Sequence, residues 1–240
     1  MERIENELAH GRKISGNAEF YWGWSGPAGR LRSERRAGMY RDEAGLGPGK
    51  TALEIGCGIG IFTSILARSG AGITAVDLSP DLAERARAQN PAANVTYLVM
   101  NVEKLEFPDN FFNCVYGSSV LHHLDLQKAL PEMLRVLKPG GTFVFTEPNM
   151  LNPQIMLQKN IKPLRTLLGD SPDETAFFRW GIKRKLEQSG FSGIKARPFD
   201  FLHPWVPGPL VPAASSLGGL LERIPLVREI AGSLLITATK

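Results

Sequence analysis

Apolar residues along the chain gather into short runs separated by segments of helical spacing. Thr51–Ile55, Ile73–Val76, Val95–Met100, Asn113–Gly117, Thr142–Thr146, Ile194–Phe199 and Leu234–Thr239 are short, largely apolar stretches and read as strands. Helical spacing marks Ile61–Ser69, where Ile61, Ile65 and Leu66 share a side, and Asp81–Gln89, where Leu82, Ala83 and Ala86 face inward. Leu126–Leu137 and Thr175–Gln188 are two further helices, stopped by Lys138-Pro139-Gly140-Gly141 and by Ser189-Gly190. The alternation of strand and helix from 51 to 147 predicts a parallel sheet with right-handed crossovers.

Three stretches lie outside that alternation. Residues 1–46 hold two helical segments, Ile4–Ile14 and Arg30–Glu43, around the aromatic run Phe20-Tyr21-Trp22-Gly23-Trp24. Packing onto the sheet and a lid over a site are both open readings of that run. Residues 150–175, with Pro153, Pro163 and Pro172, show little periodicity and read as an insertion; residues 201–232 are a Pro- and Leu-rich excursion. With 240 residues, 43% of them hydrophobic, a single domain is expected. Its parts are a lid (1–46), a core (47–149), an inserted cap (150–175) and the C-terminal part of the sheet with its excursion (176–240).

The first strand runs into Gly56-Cys57-Gly58-Ile59-Gly60 and then into a helix. Glycine lets the backbone approach a ligand closely, and a helix start offers unpaired N–H groups to an anion. An ordinary tight connection is the alternative. The second strand ends at Asp77-Leu78-Ser79-Pro80, about twenty residues past the first glycine, where a carboxylate suits a ribose diol. Asp77 could also cap the helix that follows, and the two roles can coexist. With both signals in register, a nucleoside cofactor is expected.

The dinucleotide fingerprint would place a third glycine where Ile61 stands. The block Glu54-Ile55-Gly56-Cys57-Gly58-Ile59-Gly60 instead resembles the first motif of class I S-adenosylmethionine-dependent methyltransferases, and the resemblance runs from about Leu53 to Glu147. It implies a Rossmann-like α/β fold with a seven-stranded, mostly parallel sheet, an antiparallel last strand and helices on both faces. It also implies S-adenosylmethionine as cofactor, with Glu54, Gly56, Cys57, Gly58 and Gly60 around the amino-acid end and Asp77 and Leu78 at the ribose. The adenine edge falls to Asn101, Val102 and Glu103. Asn101 stands where the family usually has Asp, and its amide oxygen can still accept from an adenine amino group. Ser118 and Ser119, at the end of the fourth strand, complete the expected cofactor site.

Ligands of an open α/β sheet bind at the carboxyl ends of its strands. His122 and His123 follow the fourth strand and Glu147 ends the fifth. An imidazole there could serve as general base, and a carboxylate beside it would fix its tautomer. The arrangement resembles that of some natural-product and sugar O-methyltransferases, which implies His122 as base, Glu147 as its partner and oxygen as the accepting atom. Carbon or nitrogen acceptors, aligned without a base, are the alternative.

Charge adds little. The formal net charge is +4, and the cluster Arg30, Arg32, Arg35 and Arg36 reads first as the solvated face of a helix and second as an anion or nucleic-acid contact. With no basic stripe interleaved with aromatics, nucleic acid is not an expected partner. Cys57 and Cys114 form neither a disulfide framework nor a zinc pattern, and no metal is expected. No signal peptide or membrane-length apolar run is visible, so a cytoplasmic location is the default. The acceptor is expected to be a small molecule. The Leu- and Ile-rich stretch 217–235 reads first as core and second as a surface for a lipid-like acceptor or a membrane face. Two other classes stay open. One is a nucleotide-dependent oxidoreductase or epimerase, against which the missing third glycine and the lack of a Tyr-x-x-x-Lys pair speak. The other is a binding protein that keeps the cofactor.

Overall fold

A computed structural model of the chain describes residues 2–161, 163–164 and 175–240. Its centre is a seven-stranded sheet in the order β3-β2-β1-β4-β5-β7-β6. The strands are β1 (Thr51–Ile55), β2 (Gly72–Asp77), β3 (Val95–Val99), β4 (Phe112–Ser118), β5 (Leu137–Pro148), β6 (Ser192–Phe199) and β7 (Ser233–Thr239). β1 pairs in parallel with β2 and β4, while β7 runs antiparallel to both β5 and β6. The chain therefore has the expected mostly parallel sheet with one reversed last strand. Strand order turns back between β1 and β4, which opens a crevice at their carboxyl ends.

Both faces of the sheet are buried, as the continuous apolar runs require. Leu53, Ile55, Val115, Phe143 and Phe145 pack on one side with Leu130 and Met133 of α6 (Leu126–Val136) and Ile182 and Leu186 of α8 (Arg179–Gln188). Ala52, Cys114, Tyr116 and Val144 pack on the other with Tyr40 of α3 (Gly26–Ala44) and Phe62 and Leu66 of α4 (Ile61–Ala67). Local signals set the ends of these helices. Asp125 caps α6 by accepting from Gln127 N at 3.1 Å. Gly45 closes α3 in the left-handed region, with φ of 56°.

Several stretches differ from the sequence reading. Residues 1–46 divide: α1 (Glu2–Ile14) and α2 (Ala18–Tyr21) lie toward the crevice, whereas α3 is a layer of the core. Lys138 to Gly141 is not a plain stop after α6. Leu137 already pairs with Phe112, and the ladder resumes only at Thr142 with Cys114, so the turn is a bulge inside β5. The helix expected from Thr175 begins at Arg179, because Phe177 is drawn into extended backbone bonds with Pro148 O and Met150 N. The insertion carries α7 (Pro153–Asn160), with Asn152 as N-cap and Pro153 in its first turn; residues 162 and 165–174 of it lie outside the described residues. The late excursion folds into α9 (Val211–Leu221) and α10 (Pro225–Arg228), placed after the α5 helix (Pro80–Gln89) and the others already named.

The arginine cluster is the largest departure. Arg36 is 2% exposed and pairs with Asp200 at 2.8 Å, and Arg32 reaches the same carboxylate oxygen at 2.9 Å. Arg35 grips Glu222 of the segment after α9 with both guanidinium nitrogens. Only the i, i+4 spacing of Arg32 and Arg36 hints at a shared side; their partner Asp200 is far along the chain. Burial alone would raise the Asp200 carboxyl, but Arg36 and Arg32 hold it below the ordinary aspartate range. Asp200 itself sits at φ +76°, held there by its N–H to Glu222 at 2.9 Å and by Leu202 N to its Oδ1 at 3.2 Å. Removing one partner of a buried ion pair costs roughly 3–5 kcal/mol. Because Arg32 remains on the same oxygen, Arg36→Met is expected to lose stability near the lower end of that range in urea unfolding. A loss below about 1 kcal/mol would show that Arg32 alone suffices.

Candidate active site

A cavity of about 440 Å³ occupies the crevice, within the usual range for small-molecule sites. Its floor is built from Gly56, Cys57 and Gly58 after β1, Asp77, Leu78 and Ser79 after β2, Asn101, Val102 and Glu103 after β3, and Ser118, Ser119, His122 and His123 after β4. Its cover comes from Ile4, Glu7, His10 and Gly11 of α1, from Trp22 and Trp24, and from Ile155, Gln158 and Lys159 of α7.

The glycine turn needs its glycines. Gly56 and Gly58 have φ of 66° and 53°, and a Cβ on Gly58 would stand 2.7 Å from the Trp22 ring. Gly58 N donates to Asp77 Oδ2 at 2.7 Å and Ser79 N to Asp77 Oδ1 at 2.9 Å. The cap of α5 falls to Ser79, whose Oγ accepts from Leu82 N. Asp77 thus binds the glycine turn and faces the cavity instead of capping the helix. Burial raises its carboxyl above the ordinary value, although the two N–H groups pull it back.

Two residues expected at the cofactor lie elsewhere. Strand alternation turns Glu54 to the α4 side of the sheet, where Thr63 and Tyr116 donate to its Oε2. Gly60, at φ +81°, packs against Asn90, Ala86 and Tyr97 behind the turn. Neither lines the cavity. Asn101 does, but its Oδ1 accepts from Glu103 N at 3.0 Å, so the oxygen foreseen for an adenine amino group also braces its own loop. Glu103 likewise spends its carboxylate on Arg3 of α1 and on Asp125 N.

At the fourth- and fifth-strand ends the side chains interlock. Glu147, fully buried, accepts Val120 N at 2.9 Å and Leu121 N at 2.8 Å through Oε1, and its Oε2 lies 2.6 Å from His122 Nδ1. With the Nδ1 proton given to Glu147, the lone pair of the neutral ring is on Nε2. His123 takes another path: its Nδ1 pairs with Glu7 of α1 at 3.0 Å, and Arg3 donates to its carbonyl. Ser118 Oγ is 3.1 Å from Thr146 Oγ1, and Ser119, at φ +53°, donates its N–H to Thr146 O at 2.7 Å. Cys57 and Cys114 are both free and buried, and among the described residues no cluster of His, Cys, Asp and Glu could hold a metal.

Sequence reasoning missed Arg32 and Arg36; Trp22 and the α1 residues that line the cavity fall within residues 1–46, the stretch read as a lid. Arg32 and Arg36 stack on the Trp24 ring at 5.1 and 5.2 Å while sharing Asp200. Two guanidinium groups on one carboxylate leave the cavity wall with a local excess of positive charge.

Glu54, away from the cavity, gives the fold a pH dependence. Burial pushes its carboxyl from 4.5 up to about 7, against the pull of Thr63 and Tyr116. The folded protein therefore holds this proton to higher pH than the unfolded chain does. The stability it contributes is full below pH 4.5 and is lost as pH rises toward about 7. Glu54→Gln keeps an acceptor and carries no charge. It is expected to become more stable than the parent as pH rises from about 5 to about 8, by up to about 3 kcal/mol. Unfolding by urea at both pH values measures it, and parallel pH profiles would refute the assignment.

Comparison with known proteins agrees with this geometry. A methyltransferase domain profile matches residues 53–145. The 2-methyl-6-phytyl-1,4-hydroquinone methyltransferase of Synechocystis sp. is 32% identical over 68% of this chain and 52% of its own length, so the chain spans about half of that relative. An uncharacterised methyltransferase of the same organism is also 32% identical, over 62% of this chain and 70% of its own. Among solved structures, a methyltransferase of Thermotoga maritima, described as a possible histamine N-methyltransferase, superposes with a TM-score of 0.63. It does so at 20% identity over 95% of this chain and 98% of its own, a likeness of fold. The glycine turn, the Asp77 carboxylate that braces it and the matching relatives together make the chain a member of the class I S-adenosylmethionine-dependent methyltransferase family.

Proposed function

We propose that the protein methylates a small hydroxylated acceptor, with His122 as general base. The reading is carried by one observation: a fully buried carboxylate, Glu147, fixed by two backbone N–H groups and set 2.6 Å from the imidazole at the cavity wall. S-adenosylmethionine would supply a methyl group on a positively charged sulfur, a leaving group already activated. Asp77 would take the ribose hydroxyls, since each of its oxygens accepts one N–H and can accept more. The turn Gly56-Cys57-Gly58, Ser118 and Ser119 would flank the amino-acid end, with Val102 beside the base. Arg32 and Arg36 suit a carboxylate on either the cofactor or the acceptor.

What remains for this chain's own groups is alignment and proton management. The walls exclude water and hold the acceptor oxygen in line. His122 takes the hydroxyl proton on Nε2, and Glu147 stabilises the imidazolium that results. Glu147 also keeps the ring from turning. His123, tied to α1, would hold the lid and not the proton. The hydroquinone named for one relative favours a second reading, in which the same base takes a phenolic proton and a ring carbon accepts the methyl group as its bond to sulfur breaks. That carbon then gives up its hydrogen as a proton while the oxygen is reprotonated. Mass spectrometry and NMR of the product separate oxygen from carbon methylation.

Asp77→Ala is expected to lower affinity for S-adenosylhomocysteine at least tenfold in calorimetry, because hydrogen bonds to a charged group are worth about 1.5–3 kcal/mol each. Unchanged affinity in a folded variant would leave Asp77 as a brace for the turn alone.

For the base, His122→Ala is expected to cut kcat by about a hundredfold to ten-thousandfold with cofactor affinity nearly intact. His122→Asn keeps a donor for Glu147 and should be as slow, which separates lost chemistry from lost packing. Glu147→Gln should slow the reaction less, and the two losses should not add. The fall in rate on acidification should vanish with the imidazole. Full turnover in His122→Asn with that fall retained would make the ring structural.

A further inference from the structure

The late excursion exposes apolar side chains that the core does not use. Leu217 and Leu220 share the outer side of α9 while Gly218 is buried on the other. Ile224, Leu226 and Ile230 continue that surface, and Leu226 is 86% exposed. The surface is continuous with two others. Arg179 pairs with Glu229 at 3.1 Å, which brings the exposed, stacked rings of Phe178 and Trp180 alongside. Asn152 donates to Ile230 O at 2.9 Å, which brings up α7 with Met156 and Leu157 outward. α7 thus presents Ile155 and Gln158 to the cavity and Met156 and Leu157 to the outside, so one helix walls both.

The rim of this face is basic. Residues 179–187 hold Arg179, Lys183, Arg184 and Lys185 against Glu187; residues 222–230 hold Arg223 and Arg228 against Glu222 and Glu229, whose carboxylates are taken up by Arg35 and Arg179. Trp180, Lys183 and Arg184 fall on one side of α8 with Glu187 among them, opposite buried Ile182 and Leu186. A two-fold contact with a second copy would set these bases against one another. Apolar side chains, an aromatic pair and a basic rim fit an anionic lipid surface, where the apolar groups enter the headgroup boundary and the bases meet its charge. No helix among the described residues is long and apolar enough to cross a membrane, so the contact is a peripheral one.

We propose that the face formed by α7, Phe178–Trp180 and residues 217–230 docks on an anionic bilayer, with the cavity wall of α7 at the contact. The test is co-sedimentation of the full chain with phosphatidylcholine vesicles and with vesicles that also contain phosphatidylglycerol. Vesicle binding is read without turnover, so it can fail while methyl transfer stands, or the reverse. Binding is expected to be at least about tenfold tighter to the anionic vesicles and to weaken as salt rises. Lys183→Gln with Arg184→Gln should weaken it about tenfold or more, and Leu226→Glu by a similar factor. Both variants change positions outside the cavity and should bind S-adenosylhomocysteine as the parent does. Equal binding to neutral vesicles, or variants that bind like the parent, would overturn the proposal. So would a lipid-free dimer in sedimentation velocity that Leu226→Glu dissolves, since the face would then be a self-interface.

Discussion

A carboxylate with no access to water must fill its lone pairs from the protein, and Glu147 does so from the chain segment it faces. Its partners are Val120 N, Leu121 N and the His122 ring, three consecutive residues that leave β4. The loop after β4 is consequently shaped by the end of β5. Ser119, forced into the left-handed region, and its bond to Thr146 O belong to the same clasp. The imidazole is therefore positioned by the ends of two sheet strands, while the cover above it comes from helices packed over the crevice.

The two ends of the crevice are built differently. At the glycine turn, backbone groups do most of the holding: Gly58 N and Ser79 N meet Asp77, and the Trp22 ring presses on the glycine where a side chain would stand. Toward the end of β5, long side chains converge from distant parts of the chain. Tyr40 and Arg36 both reach Thr146 Oγ1, and Arg36 also reaches Ser233.

Sequence periodicity was enough for the sheet, because strands buried on both faces leave unbroken apolar runs and their crossovers leave helical ones. It was enough to bring Asp77 and the glycine turn to one cavity, because each ends a strand of the parallel sheet. It failed for Glu54, because one residue along a strand decides which face a side chain takes, and a motif does not record that the acid's partners are Thr63 and Tyr116. It failed for Arg32 and Arg36, because a buried arginine looks like a surface one until Asp200 is brought to it. α7 escaped notice since Ile155, Met156 and Leu157 are adjacent, and adjacent apolar residues on a helix point to different neighbours, here the cavity and the outside.

The Arg36 site has a consequence for how the protein is made. Its partners Asp200 and Ser233 lie 164 and 197 residues further along the chain. During synthesis α3 emerges early, and its guanidinium groups stay in water until β6 and β7 have been translated. The half-sheet β3-β2-β1-β4-β5 can pair before then, but Arg32 and Arg36 have no Asp200 to settle against. Closing so long a loop is entropically expensive and slow. A nascent protein stalled before residue 200 would therefore hold the Arg32 and Arg36 guanidinium groups without their counter-charge, the state in which chaperones would meet it.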